Sequence, residues 1–427
     1  MVDIPSNALL QASVDVVIGA DGKAYVVDFN RFQEGYSVHL LNKREAVEAA
    51  FVRETQALLG GQRVHIAGST SWPELNFGTI YDLTLKYLVG LAGAEETTVA
   101  YGLGGMDVNK GAFTFRNEPT QIFYYRDFEA MSNREKLDSD LRKLFRIMNN
   151  TPELEPTLTG SWVNWPTACW CPANMQLNTL MTKSGLYGKM KAAGLNVPDH
   201  IVINDREEHS IVREKLAAML EQHGTVVAKP DKVGGRAVGV TIIRDRADID
   251  NFVDGLGNTN LENWLIEGSI PRHVVTAEGK NVIFDLIPLV IGLEAVSTNV
   301  KYSFVRNGVI EKMPGVNPAI FVLPGIEGRG HLEERAEYLI EMIGFQGKDR
   351  GLHDLAERRR QFGAIEGDEA DELRAYFRNG QGKKWIDLAE DTAVRAKKVL
   401  LHEVKRNMPG LRDDLQAHIN SQRKVKR

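Results

Sequence analysis

VVAKPDKVGGRAVGVTII, residues 226–243, is the stretch on which the reading of the fold turns. Its opening residues read as a buried strand that delivers Lys229 to its end, where Pro230, lacking an N–H for the ladder, stops it. Gly234, Gly235 and Gly239 follow, and glycine lets a turn bring its backbone close to a ligand before the second β-branched run begins. One ammonium group on a strand beside a loop of exposed N–H groups makes a lid for a polyphosphate. The pattern is neither a P-loop, which needs Gly-Lys-Ser/Thr opening a helix, nor a GxGxxG after a strand. Taken alone, the stretch is equally what a structural strand and turn look like.

The flanks add two further elements. Upstream, MTKSGLYGKMKAAGLNVPDHIVI (181–203) places Lys183 at the start of a helix that ends at Gly194, followed by Asn196-Val-Pro198 and a strand. Downstream, ENWLIEGSI (262–270) gives a buried strand running into Glu267 and then Gly268. Such a hinge presents backbone donor and acceptor to an adenine, as far as Ile270, while the carboxylate serves the amino group or a ribose. In this order and spacing the chain resembles the ATP-grasp superfamily, of the carboxylate-amine or peptide ligase type, over residues 179–275 and more weakly to 325.

Members of that superfamily close with an Asp on one strand and a Glu/Asp-x-Asn on the next, which hold Mg²⁺ against the triphosphate. After Glu267 no such pair follows: thirteen residues beyond Asp285 stands Thr298, and no carboxylate lies two residues before Asn299. The pair occurs instead at the front, where Asp15 is followed thirteen residues later by Asp28, with Asn30 two beyond. Val14–Ile18 and Ala24–Phe29 read as strands joined by Gly19-Ala-Asp-Gly22, a hairpin turn. Side chains alternate along a strand, so 28 and 30 share a face and Asp15 lies on the antiparallel neighbour. Three oxygen ligands then suit Mg²⁺. The helix expected at His331–Gly344 looks like the one that precedes this hairpin in the family, yet it leads into a charged tail, which implies a circular permutation. The alternatives are an ordinary surface hairpin, or one donated by a neighbouring chain in a homodimer.

The resemblance implies ATP and Mg²⁺ as cofactors, with Lys183 and Lys229 on phosphates, Gly234, Gly235 and Gly239 closing over them, Glu267 to Ile270 reading the nucleoside, and Asp15, Asp28 and Asn30 holding metal. Two departures stand out. Asp28 occupies a position where Glu is commoner, and Ser13-Val14 precede Asp15 where an arginine is usual. The missing catalytic cation is sought among Lys301, Arg306 and Arg31.

The implied fold class is α/β (α+β): an ATP-grasp fold with a preceding small Rossmann-like α/β domain and a C-terminal helical extension. Boundaries are expected at 1–59 for the hairpin and a helix from about Lys43 to Leu59, 60–178 for the preceding domain, 179–347 for the nucleotide-binding core, and 348–427 for the extension. In the second segment VHIAG, a helix near Thr79–Leu91 and TTVAYG alternate as an α/β layer should. Gly102-Leu-Gly104-Gly105 reads as a turn, and Trp162–Pro172 as a loop or junction.

Composition sets outer limits. With 427 residues, 43% apolar and 26% charged, the chain is globular and long enough for several domains. A net charge of −5 excludes a global electrostatic footprint for nucleic acid or anionic membrane. Two cysteines, Cys169 and Cys171, are too few for a disulfide framework and fit a reducing cytoplasm. No signal peptide opens the sequence and no run of 18 apolar residues interrupts it. The activity implied is an ATP-dependent ligase joining a small-molecule carboxylate, an amino acid or peptide, to an amine through an acyl phosphate. The alternatives are a small-molecule kinase on the same fold, or a non-catalytic nucleotide-binding module.

Overall fold

The computed structural model describes residues 11–30, 36–68, 77–101, 106–109, 112–115, 118–119, 121–124, 182–231, 240–256, 263–306, 309–310, 320–325 and 370–407. Arg31, the Gly234–Gly239 loop, Gly102–Gly105, Trp162–Pro172 and the helix expected at 331–344 lie outside these residues.

The opening hairpin forms. Strands β1 (Gln11–Ile18) and β2 (Ala24–Asn30) pair antiparallel. Gly22, at φ 76°, donates its N–H to Gly19 O at 2.9 Å, a left-handed position that glycine takes without strain. Helix α1 (Tyr36–Leu59) begins seven residues before the expected start. It is two segments meeting at Lys43 (φ −142°, ψ 66°), folded back so that the rings of Tyr36 and Phe51 stand edge to face, 5.9 Å apart.

The chain then builds the small parallel layer that the alternation predicted. Strand β3 (Arg63–Gly68) is central, helix α2 (Phe77–Leu91) crosses over, and β4 (Glu96–Tyr101) pairs parallel with β3. The short strands β5 (Met106–Asn109), β6 (Ala112–Phe115) and β7 (Glu118–Pro119) form a separate antiparallel sheet, and β8 (Gln121–Tyr124) returns to pair parallel with β3.

Helix α3 (Lys183–Ala192) leads into a second layer, made of β9 (His200–Asn204), α4 (His209–His223), β10 (Val226–Pro230), β11 (Thr241–Ile243), α5 (Arg246–Gly255) and β12 (Asn263–Gly268). Its sheet runs β11-β10-β12-β9, antiparallel throughout. Val212 and Leu216 of α4 and Ile249 and Val253 of α5, each three or four residues apart, meet Val226, Ala228 and Ile266 of the strands in one core.

The largest sheet closes the fold. Strands β13 (Val275–Ala277), β14 (Lys280–Ile291), β15 (Glu294–Arg306), β16 (Val309–Ile310) and β17 (Ile320–Val322) follow in sequence. With the hairpin they make seven strands in the order β16-β15-β14-β1-β2, with β13 on β14 and β17 on β15. Strand β1 therefore lies antiparallel against β14 of the same chain, Val17 opposite Asp285. Helices α6 (Ala370–Arg378) and α7 (Gly380–Asn407) confirm the expected helical appendage, and α7 packs across β14, β1, β15 and β2. No helix among the described residues is long and apolar enough to cross a membrane.

Candidate active site

Register assembles the site. Asp15 and Asp28 are direct partners across β1 and β2, so both side chains leave the same face of the sheet. Asp285 pairs with Val17 on one side and Lys301 on the other, and the two-residue period puts Asp285 and Lys301 on that face as well. Burial raises the Asp15 carboxyl to about 7, helped by Asp28 and Asp285 and opposed by Lys301 and Lys229. Asp28 goes the other way: desolvation acts to raise it, but Lys183 and Lys229, with the Phe29 N–H donating to Oδ1 at 2.9 Å, hold it below the ordinary carboxylate range. Its side chain remains 41% exposed, so a ligand can reach it.

The two lysines arrive from elements more than 150 residues away in sequence. Lys183, on the first turn of α3, stands with Nζ 3.5 Å from Asp28 Oδ1. Lys229 ends β10 with Nζ 2.6 Å from Glu267 Oε2. On the paired strands Lys229 is opposite Leu265, so Glu267 is its diagonal neighbour on the same face. The Glu267 carboxylate, expected to face a nucleoside, thus points inward and is held by Lys229. Gly268 N–H donates to Asp199 O at 2.8 Å and Ser269 N–H to Thr225 O at 2.9 Å, so these two hinge donors, just before Ile270, are engaged inside the protein.

Three further residues join the site that the sequence reading did not select. The Tyr187 hydroxyl lies 2.9 Å from Glu267 Oε1 and 2.5 Å from Val27 O, bridging β12 and the opening hairpin. Burial, the Glu267 charge and its neighbours push this phenol well above its usual range. Tyr187 lies four residues after Lys183, on the same side of α3, and that spacing was the available signal. Arg272 forms an ion pair with Asp285, and residues 271–273 are stitched to the end of β1: Ala20 N–H donates to Pro271 O at 2.7 Å and His273 N–H to Ile18 O at 2.9 Å. Asp285, passed over for want of a partner on its own hairpin, finds its acidic neighbours on β1 and β2.

Of the remaining expected residues, Asn30 pairs with Ser13, although its side chain lies outside the described residues, as does that of Arg306. Arg306 ends β15 opposite Val309, five residues past Lys301 along the strand. The result is a strip of charge across the strands: Lys301 on β15, Asp285 on β14 with Arg272 paired to it, Asp15 on β1 and Asp28 on β2, and then the lysine pair with Glu267.

Among the described residues no three His, Cys, Asp or Glu side chains form a metal cage of their own. Magnesium needs none, being held commonly by one or two carboxylates together with substrate phosphates and water. Two facing acids, one pushed up by burial and by the other's charge, with two ammonium groups near them, fit such a shared shell.

No family model matches the sequence, and no curated protein does. Among solved structures the chain is similar to a protein described as a gamma-glutamylcysteine synthetase, from Methylobacillus flagellatus KT. The identity is 10%, the TM-score 0.47, and 80% of this chain and 90% of that one are covered. It is also similar to the ATP-grasp ligase PsnB, at 13% identity and a TM-score of 0.34 over 66% of this chain and 82% of that one. The D-alanine-D-alanine ligase from Coxiella burnetii matches at 15% identity and a TM-score of 0.21, over 42% of this chain and 61% of that one.

Proposed function

We propose that the chain is an ATP-dependent ligase of the ATP-grasp kind, circularly permuted, that joins a carboxylate to an amine. The single observation that supports this reading most is the approach of Lys183 Nζ to Asp28 Oδ1, 3.5 Å, across 155 residues of sequence (183 − 28). It brings the phosphate-type lysines and the metal-type acids, read separately from the sequence, to one place.

On this reading Lys183 and Lys229 hold the phosphates of ATP while the Gly234–Gly239 loop covers them. Mg²⁺ at Asp15 and Asp28, with Asn30, would offset the charge on those phosphates. The substrate carboxylate attacks the γ-phosphorus as the bond to the ADP oxygen breaks, giving an acyl phosphate. The amine then attacks the acyl carbon and phosphate leaves. No side-chain nucleophile is needed, and the protein works by positioning and by complementing charge. Lys301, beside Asp15 and Asp285, is placed to meet charge developing on the transferred group, and Arg272 is a second cation where the family's usual arginine is missing. Residues 60–178 shape the acceptor side.

The test is a screen of amino acids and short peptides for ATP-dependent phosphate release, with product analysis. ADP, phosphate and an amide in equal amounts support the ligase. A phosphorylated substrate would make the chain a kinase, and nucleotide binding without consumption a binding module. Asp28→Asn should cut ATP consumption by about 10³-fold, the scale of removing a group that stabilises transition-state charge.

A further inference from the structure

Asp231, directly after Lys229-Pro230, is 98% buried although it is charged and opens the glycine loop. Every polar group of this residue is engaged. Its Oδ1 accepts the backbone N–H of Ser184 at 2.8 Å and its Oδ2 accepts the Ser184 hydroxyl at 2.8 Å. Its carbonyl accepts the N–H of Lys183 at 2.9 Å, and its own N–H donates to Asn263 O at 3.0 Å on β12. Thr182 caps the same helix, Oγ1 accepting the Gly185 N–H at 3.1 Å. The N-terminus of α3 is therefore already filled by protein acceptors, and what α3 offers a nucleotide is the Lys183 side chain rather than helix-end N–H groups.

From this geometry we infer that Asp231 is a positioning residue that fixes Lys183 relative to Lys229. One residue ties the strand end carrying one lysine to the helix turn carrying the other, through two side-chain hydrogen bonds and one backbone hydrogen bond, while its own N–H anchors it to β12. Lys183 and Lys229 belong to different secondary structures, and the Asp231 carboxylate bonds only to the turn that bears Lys183. Charge-assisted bonds of this kind hold a helix end rigidly, and their loss lets the turn rotate out of register. The inference rests on reading the site as a nucleotide cleft.

The experiment is a double-mutant cycle on the full chain, titrating Mg·ADP by calorimetry, with circular dichroism as the check on folding. Asp231→Ala should weaken ADP roughly 10- to 100-fold in the wild-type background, the loss that removing charge-assisted hydrogen bonds brings. In a Lys183→Ala background the same change should cost less than about threefold, because the group it positions is gone. Asp231→Asn, which keeps an acceptor for the Ser184 N–H, should recover most of the affinity, and Ser184→Ala should fall between. Should Asp231→Ala fail to fold, these two variants complete the cycle. Equal losses in both backgrounds, or ADP affinity unchanged within about twofold in a folded variant, overturn the positioning role while leaving the cleft intact. Wild-type protein that takes up no ADP overturns the cleft and the positioning role together.

Discussion

The two faces of the seven-stranded sheet are made by the same strands and do opposite things. One face carries Asp15, Asp28, Asp285 and Lys301. The other, offset by one residue, carries Val16, Leu286, Val300 and Tyr302, all buried. Against that second face lie Ile386, Ala389, Ala393, Ala396 and Leu400 of α7, at the spacing of a helical stripe, and Phe377 of α6, whose ring meets Phe284 at 4.9 Å. Polar ties join the helix to this sheet as well: Thr298 donates to Glu390 Oε1 at 2.7 Å and Lys397 Nζ donates to Val290 O at 3.3 Å. The difference teaches that stability and chemistry are separated by strand alternation rather than by domain, so a one-residue register slip would destroy both at once.

That separation can be broken experimentally. The largest effect on stability should come from the apolar face: Phe377→Ala leaves a cavity in a fully buried position and should cost about 3–5 kcal/mol of unfolding free energy. The KM for ATP should not move, and a denaturant midpoint measured beside steady-state kinetics checks both halves.

A smaller effect belongs to His39 of α1, whose ring is buried and held neutral, with a pKa lowered from 6.5 to about 3 by burial. Between those values the unfolded chain binds a proton that the folded chain does not. Stability is therefore complete above pH 6.5 and declines as pH falls below it, by about 2 kcal/mol at pH 5. Melting temperatures at pH 5 and pH 7.5 should differ less in His39→Leu than in wild type; an equal difference would place the acid sensitivity elsewhere.

Smallest of the three, and opposite in sign, Asp15→Asn removes one of two facing acids. Without metal it should raise the unfolding free energy slightly, on the order of 1 kcal/mol, and the melting temperature with it, while turnover is lost. A drop in metal-free stability would mean that the Asp15 carboxylate is a structural partner and not a liability kept for function.

Much of the charged face was legible because its signals are local. Lys229 before Pro230, the thirteen-residue spacing of Asp15 and Asp28, and Lys183 at a helix start can each be read within twenty residues. What escaped depends on contacts between distant segments. Asp285 has an acidic neighbourhood only because β1 lies beside β14, and Tyr187 looks like one more apolar residue of α3 until Val27 and Glu267 meet its hydroxyl. Glu267 was singled out from the sequence as facing a nucleoside, whereas its direction follows from the register of β10 with β12, which places Lys229 diagonally across from it. The start of α1 was missed because its two segments are held by an aromatic contact across the Lys43 break, not by a continuous stripe.

The pairing of Val17 with Asp285 spans 268 positions (285 − 17), and this bears on how the molecule is made. During synthesis the hairpin leaves the ribosome before the strand it needs on its flank, which comes out only after more than two hundred further residues have been added. Until then β1 is an unpaired edge, and closing so wide a span is slow because the entropy of the intervening chain must be lost before the contact is rewarded. Polypeptides stalled before β14 would hold Asp15 and Asp28 without the strand that flanks them, so the charged face can be completed only once translation has passed the last strands of the sheet.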